Sequence, residues 1–500
     1  MTTDGAAGRS RYTLEMTVAS ALHIGTGRGD GFVDDTVVRD VAGRPIVPGT
    51  TLAGHLRALG ERIAPDLESK LWGSEDAASP VNVDDAVIDL GGRGMGTRAG
   101  IRIDRDTGAV ATGALYEHAV VPAGSRLTLV LETDDVALHD HVLALLGAVR
   151  REGLRIGRAT SRGMGRLVAT GDPCVRRLDL ACPSDLVSAA RGNPPTATPI
   201  MVEAPSAGMT HVEVAWTSPV PVLSRDPRPV GEVDTLPLLV EAVEAGDVAG
   251  YRIALPGSSI KGALRAHAER IVRTVDPSRD DDRLPFIDRL FGSAKADGTG
   301  RRGAVVVDDC LSVGRIEPSE LEALDPRAAD RRVAIRDAEG GAVGTVLVAH
   351  HNAIDRWTGG AADGRLFDVA EARGVSWQPI RLTIDAEALG RSVPGDAEAP
   401  EGTTDVGLAA QGLLLLVLED LAMGRVPLGG LVTRGRGSVV VEGMSWRDAS
   451  GGSSVWVRSE DADRSASDGW GDAAAGPVAA ARDAWRSAWR GATSGEEVAT

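Results

Sequence analysis

Two aspartates, Asp34 and Asp234, stand in matching places of a chain that carries nearly the same series of motifs twice. Asp34 sits in a loop between the glycine-rich run HIGTGRGDG and a short apolar stretch, and Asp234 takes the same place after RPVGEV. An acidic side chain on such a loop, beside cations, has two uses in phosphodiester chemistry. It can hold a divalent metal ion through water, or position a ribose 2′-hydroxyl for attack on its own phosphate. The competing reading is an Asp that closes its own turn. Asp35 and Asp40 read as solvated turn acids of that second kind.

Cations and backbone donors recur in the same order. IVPGTTLAGHLR (46–57) and IALPGSSIKGALR (253–265) place two hydroxyl residues after a Pro-Gly turn at the start of an amphipathic run. Backbone N–H groups at a helix start seat phosphate, which makes Thr50, Thr51, Ser258 and Ser259 candidate RNA-backbone contacts, with Arg57, Lys261 and Arg265 nearby. The same hydroxyls suit helix capping. In GRATSRGMGR and GGLVTRGRGS, Gly163, Gly165, Gly435 and Gly437 shape a turn that a ligand can approach closely, and Arg162 and Arg434 suit phosphate. The competing reading is a helix C-cap with solvated arginines. Arg105 and Arg356, in IDRDTG and IDRWTG, belong to candidate hairpins, where an internal Asp–Arg pair serves as well.

Two further strings are set aside. His350 and His351 look like metal ligands or an acid–base pair, but the first copy has Ala99 and Gly100 at about that distance, so a mechanism common to both copies does not use them. Ser258 and Lys261 form the S-x-x-K string of penicillin-recognising enzymes; Ala53 replaces the lysine in the first copy, and no KTG or SDN string accompanies it.

The elements that must carry these residues also come in pairs. YTLEMTVAS and THVEVAWTS alternate like half-buried strands; the Pro-Gly turns open helices; LWG pairs with LFG, and VNVDD with VVVDD. Near each end an apolar helical run (HVLALLGAVRR; GLLLLVLEDLAMG) leads through the glycine-rich turn into a strand. Strand, helix, strands, helix, strand is the ferredoxin-like split unit. The expected fold class is α+β, with two tandem ferredoxin-like (RRM-like) domains bearing inserted loops and hairpins. Residues 1–175 form the first domain, 176–208 a proline-bearing linker, 209–446 the second domain, and 447–500 a flexible tail. The tail is expected to be largely disordered, with ARDAWRSAWR a short helix that docks on a partner or folds back on the chain.

Five hundred residues suit two cores. There is no run of eighteen apolar residues and no signal-peptide pattern, so no membrane partner and a cytoplasmic place are expected. Cys174, Cys182 and Cys310 match no zinc or disulfide framework. Acidic residues outnumber basic ones, 71 to 54, which argues weakly against nucleic acid. Distribution matters more: six arginines face one Glu between Arg150 and Arg166, and Arg425, Arg434 and Arg436 flank the matching glycines of the second copy. That pattern predicts a basic groove on an acidic body. Aromatic content of 3% leaves little for base-stacking platforms, so backbone contacts would dominate.

The run from LHIGTGRGDGFVDDTVV to PGTTLAGHLR, with LWG, IDRDTG and RGMGRL, resembles the RAMP superfamily, specifically the Csm- and Cmr-type backbone subunits of type III CRISPR effector complexes, here as a tandem fusion. The resemblance covers roughly residues 10–170 and 209–446. It implies an antiviral, CRISPR-associated subunit that binds guide RNA and, as an endoribonuclease, cleaves complementary target RNA. Asp34 and Asp234 would be catalytic, with Mg²⁺ or another divalent cation, although DTLPL after Asp234 departs from the DSPV-like family pattern. The implied partners are guide RNA, target RNA, a large polymerase-like subunit and a small subunit; the IDRDTG and IDRWTG segments would be hairpins wedged across the guide–target duplex. Two alternatives stay open: a non-catalytic guide-binding scaffold, and a guide-processing endoribonuclease. The latter wants a His base near the first helix, and His55 and His267 lie there at non-equivalent positions.

Overall fold

The computed structural model describes all residues except 1–7, 31–32, 65–69, 102, 105–109, 114–115, 180, 193–194, 203–207, 227–232, 245–246, 278–283, 294–299, 323, 325–331, 394–395, 401–402, 459–469, 471–475 and 490–500. The chain divides into two units, Met1–Thr160 with Met164–Gly208, and Met209–Thr500 with Ser161–Gly163. Both mix helices and strands in an α+β arrangement.

The main elements of the first unit are β1 (Gly8–Val18), α1 (Gly49–Ile63), β2 (Val81–Val83), β3 (Gly96–Gly100), β4 (Tyr116–Val120), β5 (Arg126–Thr133), α2 (His139–Glu152), β6 (Arg166–Ala169), β7 (Cys174–Asp179) and α3 (Pro183–Ala190). Tyr12, Leu14, Met16 and Val18 alternate along β1 and are at most 1% exposed. Each such burial contributes about 1.5–3 kcal/mol, and a one-residue slip would turn all four to water. β1 is therefore central, antiparallel to β5 along one edge and to β7 and then β6 along the other, with β2 outside β5. α1 buries Leu52, Leu56 and Leu59, and α2 buries Val142, Leu145, Leu146 and Val149. The segment expected as a linker carries β7, paired with β1, and α3, so it belongs to the first unit. The pairing explains this: Val175 is a buried partner of Tyr12.

The second unit repeats the plan with β8 (Met209–Thr217), α4 (Gly257–Val275), β9 (Val305–Val307), β10 (Arg332–Arg336), β11 (Ala342–Ile354), β12 (Ala361–Arg373), β13 (Ile380–Asp385), α5 (Val406–Ala422), β14 (Val440–Arg447), β15 (Ser453–Val457) and α6 (Pro477–Trp489). Its sheet runs β9, β13, β8, β14, β15, again with the opening strand between the third and last strands of the repeat. β15 and α6 lie in the stretch expected as a disordered tail, which corrects that expectation. α6 packs on α5, burying Val478, Trp485 and Trp489, and Arg482 donates to Glu419 at 2.6 Å. A Cβ on Gly412 of α5 would lie 2.3 Å from the Ala481 carbonyl, so the glycine permits this close approach. Of the two readings of ARDAWRSAWR, the helix folds back on its own protein. No helix among the described residues is long and apolar enough to cross a membrane.

The start of α1 differs from the capping expectation. Pro48 and Pro256 hold the capping positions of α1 and α4, and no side chain caps either. Instead Asp85 Oδ1 accepts the Gly49 N–H at 2.7 Å, and Asp309 Oδ1 accepts the Gly257 N–H at 2.8 Å. A Cβ on either glycine would lie 2.2 Å from the carbonyl of Val83 or Val307. The Pro-Gly turn and the VNVDD or VVVDD strand are thus two halves of one joint, which is why both repeat.

Candidate functional site

Asp34 and Asp234 occupy the same place in their two units. Both are exposed. The Glu117 N–H of β4 donates to Asp34 Oδ2 at 2.7 Å, and the Asp368 N–H of β12 donates to Asp234 Oδ2 at 2.9 Å. The next residues match as well: Asp35 bridges to His118 and Thr235 to Val369, both parallel, and their carbonyls accept N–H groups from Ala119 and Ala370. Each aspartate is therefore pinned by a backbone donor at the second strand of a hairpin.

Those hairpins are β3–β4 and β11–β12. Near the tips, Ile103 bridges Val110 and Ile354 bridges Ala361, the same seven-residue span. Arg105 lies outside the described residues; Arg356 is exposed at its tip. Asp355 pairs there with backbone rather than with arginine, accepting from the N–H groups of Trp357 and Thr358. Trp357 is 98% exposed, an aromatic at the tip that composition alone did not single out. His350 and His351 fall opposite Asp368 and Phe367, where the first unit has Ala99 and Gly100 opposite Glu117 and Tyr116. His350 pairs with Asp368, and His351 lies 3.6 Å from Glu371.

The glycine-rich loops agree residue by residue. Gly157, Gly163 and Gly165 have positive φ, as do Gly429, Gly435 and Gly437. Ala159 (φ 57°) and Leu431 (φ 58°) hold the same unfavourable left-handed conformation at the same step. The N–H of Ile156 donates to Gly165 O at 2.9 Å, and that of Leu428 to Gly437 O at 2.8 Å. Arg162 and Arg434 stand exposed on these frames.

The turn residues divide. Thr50, Ser258 and Arg57 are exposed, and Thr51 and Ser259 half-buried. Lys261 and Arg265 differ from the expectation of surface cations. Lys261 is buried and donates to Val305 O at 2.6 Å; burial first, with Arg302 and Arg265 adding repulsion, pushes its pKa down to about 7. Arg265 is spent on Glu269, Asp288 and Gly292 O. Because Asp85 and Asp309 already place a carboxylate on the first N–H of each helix, an incoming phosphate meets like charge there. His55 bonds Thr51 O at 2.8 Å, and His267 is buried with Nε2 2.6 Å from Asp420 Oδ2.

Asp35 is a correction: it is buried, not a solvated turn acid. His23 Nε2 lies 3.1 Å from Asp35 Oδ2, the Gly27 N–H donates to Asp35 Oδ1 at 3.0 Å, and Arg158 Nη1 is 3.4 Å away. Burial opposes the Asp35 charge, but His23, Gly27 and Arg158 together hold its carboxyl below the ordinary range. His118 lies between Tyr116 and His23, ring centroids 4.9 and 5.0 Å away and the rings tilted to one another. Burial, ahead of Arg158 and His23, lowers the His118 pKa. The second unit has Leu223, Thr235 and Val369 in these places. The only sequence signal for the trio was His23 inside the first glycine-rich run; its partners lie 12 and 95 residues on.

No curated protein matches the chain. One solved chain, from a cryo-EM structure of type III-B Cmr-beta bound to cognate target RNA, is similar at 12% identity and a TM-score of 0.29. That match spans 35% of this chain and 63% of the other, less than two thirds of its length. The family model for the RAMP superfamily matches residues 15–168 and 237–440, one region for each run of repeated motifs. With most of its length matched in two copies, this chain belongs to the RAMP superfamily.

Proposed function

We propose that this protein is a backbone subunit of a type III CRISPR ribonucleoprotein complex, which holds a guide RNA and cuts complementary target RNA at Asp34 and Asp234. The observation that carries this reading is the shared geometry of the two exposed aspartates, each fixed at one oxygen by a backbone N–H of a hairpin strand. A carboxylate held in this way keeps its position without being buried. The duplicated loops bearing Arg162 and Arg434 supply exposed cations for phosphates. Base pairing would read the target sequence while protein holds the backbone. The exposed hairpin tip with Arg356 and Trp357 suits a segment laid against a duplex.

Each aspartate presents one exposed carboxylate, which fits Mg²⁺, an ion that keeps several waters and binds through one or two carboxylates plus substrate phosphate. Asp34 and Asp234 would hold it through water, and the ion would stabilise charge building on the phosphate. The carboxylate would orient the ribose 2′-hydroxyl for in-line attack on the adjacent 3′-phosphate. The 2′-hydroxyl would lose its proton and the P–O5′ bond would break, giving a 2′,3′-cyclic phosphate and a protonated 5′-hydroxyl, so RNA would be cut and DNA would not. The partners are guide RNA, target RNA and further effector subunits, a large polymerase-like one and a small one among them.

The test is a complex reconstituted with guide and end-labelled target. Asp34→Ala and Asp234→Ala, made singly, should each remove one product band and leave the other, and the double variant should bind target without cutting it. An unchanged ladder in both single variants would exclude cleavage at these aspartates.

A further inference from the structure

We propose that His23, Asp35 and His118 form a binding site for a divalent transition-metal ion of the zinc class, in the first unit only. One ligand atom from each lies within 4.8 Å of the others, and all three residues are buried. Two imidazoles and a carboxylate are the donor set of three-ligand zinc sites that leave one position open.

The hydrogen-bond accounting points the same way. His23 Nδ1 lies 2.6 Å from the Ala119 carbonyl and must carry its proton toward that acceptor. In the neutral ring Nε2 is then a bare lone pair, and it faces the Asp35 carboxylate at 3.1 Å. A second proton on His23 would satisfy that contact alone. It would leave His118, 6% exposed, with both ring nitrogens buried and without a partner among the described residues. A cation held by all three groups satisfies the facing acceptors and one of the two His118 ring nitrogens together.

The surroundings suit such an ion. A tetrahedral centre with bonds of about 2.0–2.1 Å spaces its donors about 3.3 Å apart; His23 and Asp35 already stand near that, and an inward movement of the His118 ring completes the set. The Ala119 carbonyl and the Gly27 N–H orient the His23 ring and the Asp35 carboxylate from behind. A Cβ on Gly25 would fall 2.3 Å from Asp35 Oδ2 and 2.7 Å from His23 Nε2, so glycine keeps the site open. Arg158 opposes a second cation, but its side chain is 56% exposed and can turn to water. The nitrogen donors disfavour Mg²⁺, which prefers oxygen in octahedral array. Leu223, Thr235 and Val369 offer no equivalent site in the second unit, and among the described residues this is the one such group, so one ion per chain is expected.

The experiment needs no RNA and does not depend on the cleavage reading. The full chain, stripped with chelator, is titrated with Co²⁺ and then Zn²⁺. One equivalent should bind with the visible absorption of a four-coordinate nitrogen–oxygen site, without the near-ultraviolet band of a thiolate, and zinc should displace it. Asp35→Asn and His118→Gln should weaken binding at least about tenfold, while His351→Gln, in the second unit, should not. Failure of the wild type to bind one equivalent, a thiolate band, or undiminished binding in either folded variant overturns the proposal. If a variant does not fold, histidine ring-nitrogen shifts of the wild type on zinc addition decide: changes at His23 and His118 support the site, and unchanged signals refute it.

Discussion

A lysine buried against a carbonyl carries an electrostatic penalty at neutral pH, and Lys261 is such a residue, with its pKa pushed down to about 7 from 10.5. Between those values the unfolded chain holds a proton that the folded chain has shed. The unfolded state then binds more protons, so stability rises with pH from about 7 toward 10.5, and the penalty is fully present below 7. Cys310 acts in the opposite sense above pH 9, because burial raises its thiol pKa to about 12 and the unfolded chain loses that proton first. Comparing Lys261→Met with wild type cancels the Cys310 contribution. The variant should melt higher at pH 7, by an amount worth up to several kcal/mol, and the gap should narrow by pH 10; a gap constant across that range would show that the lysine is not desolvated. The residue type and spacing suggested a phosphate contact here, and only burial against β9 shows otherwise.

The glycine-rich loops carry their information at the level of the element. A Cβ on Gly165 would lie 2.0 Å from Ile156 O, and on Gly437 2.2 Å from Leu428 O, both at positive φ. Gly165→Ala and Gly437→Ala should each destabilise by about 2 kcal/mol or more, combining strain with a backbone clash. Ala159→Gly and Leu431→Gly should do the reverse or nothing, because glycine relieves about 1 kcal/mol of left-handed strain at each. Chemical denaturation of the four variants checks the signs. At the hairpin tip, Trp357→Ala should leave stability within about 0.5 kcal/mol, because the ring touches little of its own protein. If that tip meets RNA, target affinity in the reconstituted complex should fall; unchanged affinity would leave the tryptophan without a part in binding. The six repeated motifs located these loops and hairpins correctly, since turns and glycines are local signals.

At the scale of the molecule, the second unit's core extends into the C-terminal helix. α5 is apolar nearly all round, and a helix of that kind must be covered on both faces. α6 provides one cover through Trp485 and Trp489, with the Arg482–Glu419 pair and the Trp470 indole N–H closing its polar edge. Trp485→Ala should cost about 3–5 kcal/mol, and truncation before Trp470 should lower the melting temperature of the second unit; a truncated chain that melts like wild type would place α6 outside the core. The Ser, Gly, Asp and Ala composition of the tail predicted disorder because it averaged over the few apolar residues that anchor it.

The sequence by itself determined the duplication, the α+β order of elements and the paired aspartate loops, because each is written in local periodicity, turn residues or repetition, and its motif strings carried the resemblance to the RAMP superfamily. Tertiary structure alone decided which charges face water. It put Lys261 and Arg265 inside, drew Asp35 under cover, and brought His23 within reach of His118 across 95 residues of chain. Such partners are joined by strand pairing and packing, whose energies come from surfaces meeting in space and leave no mark on neighbouring letters.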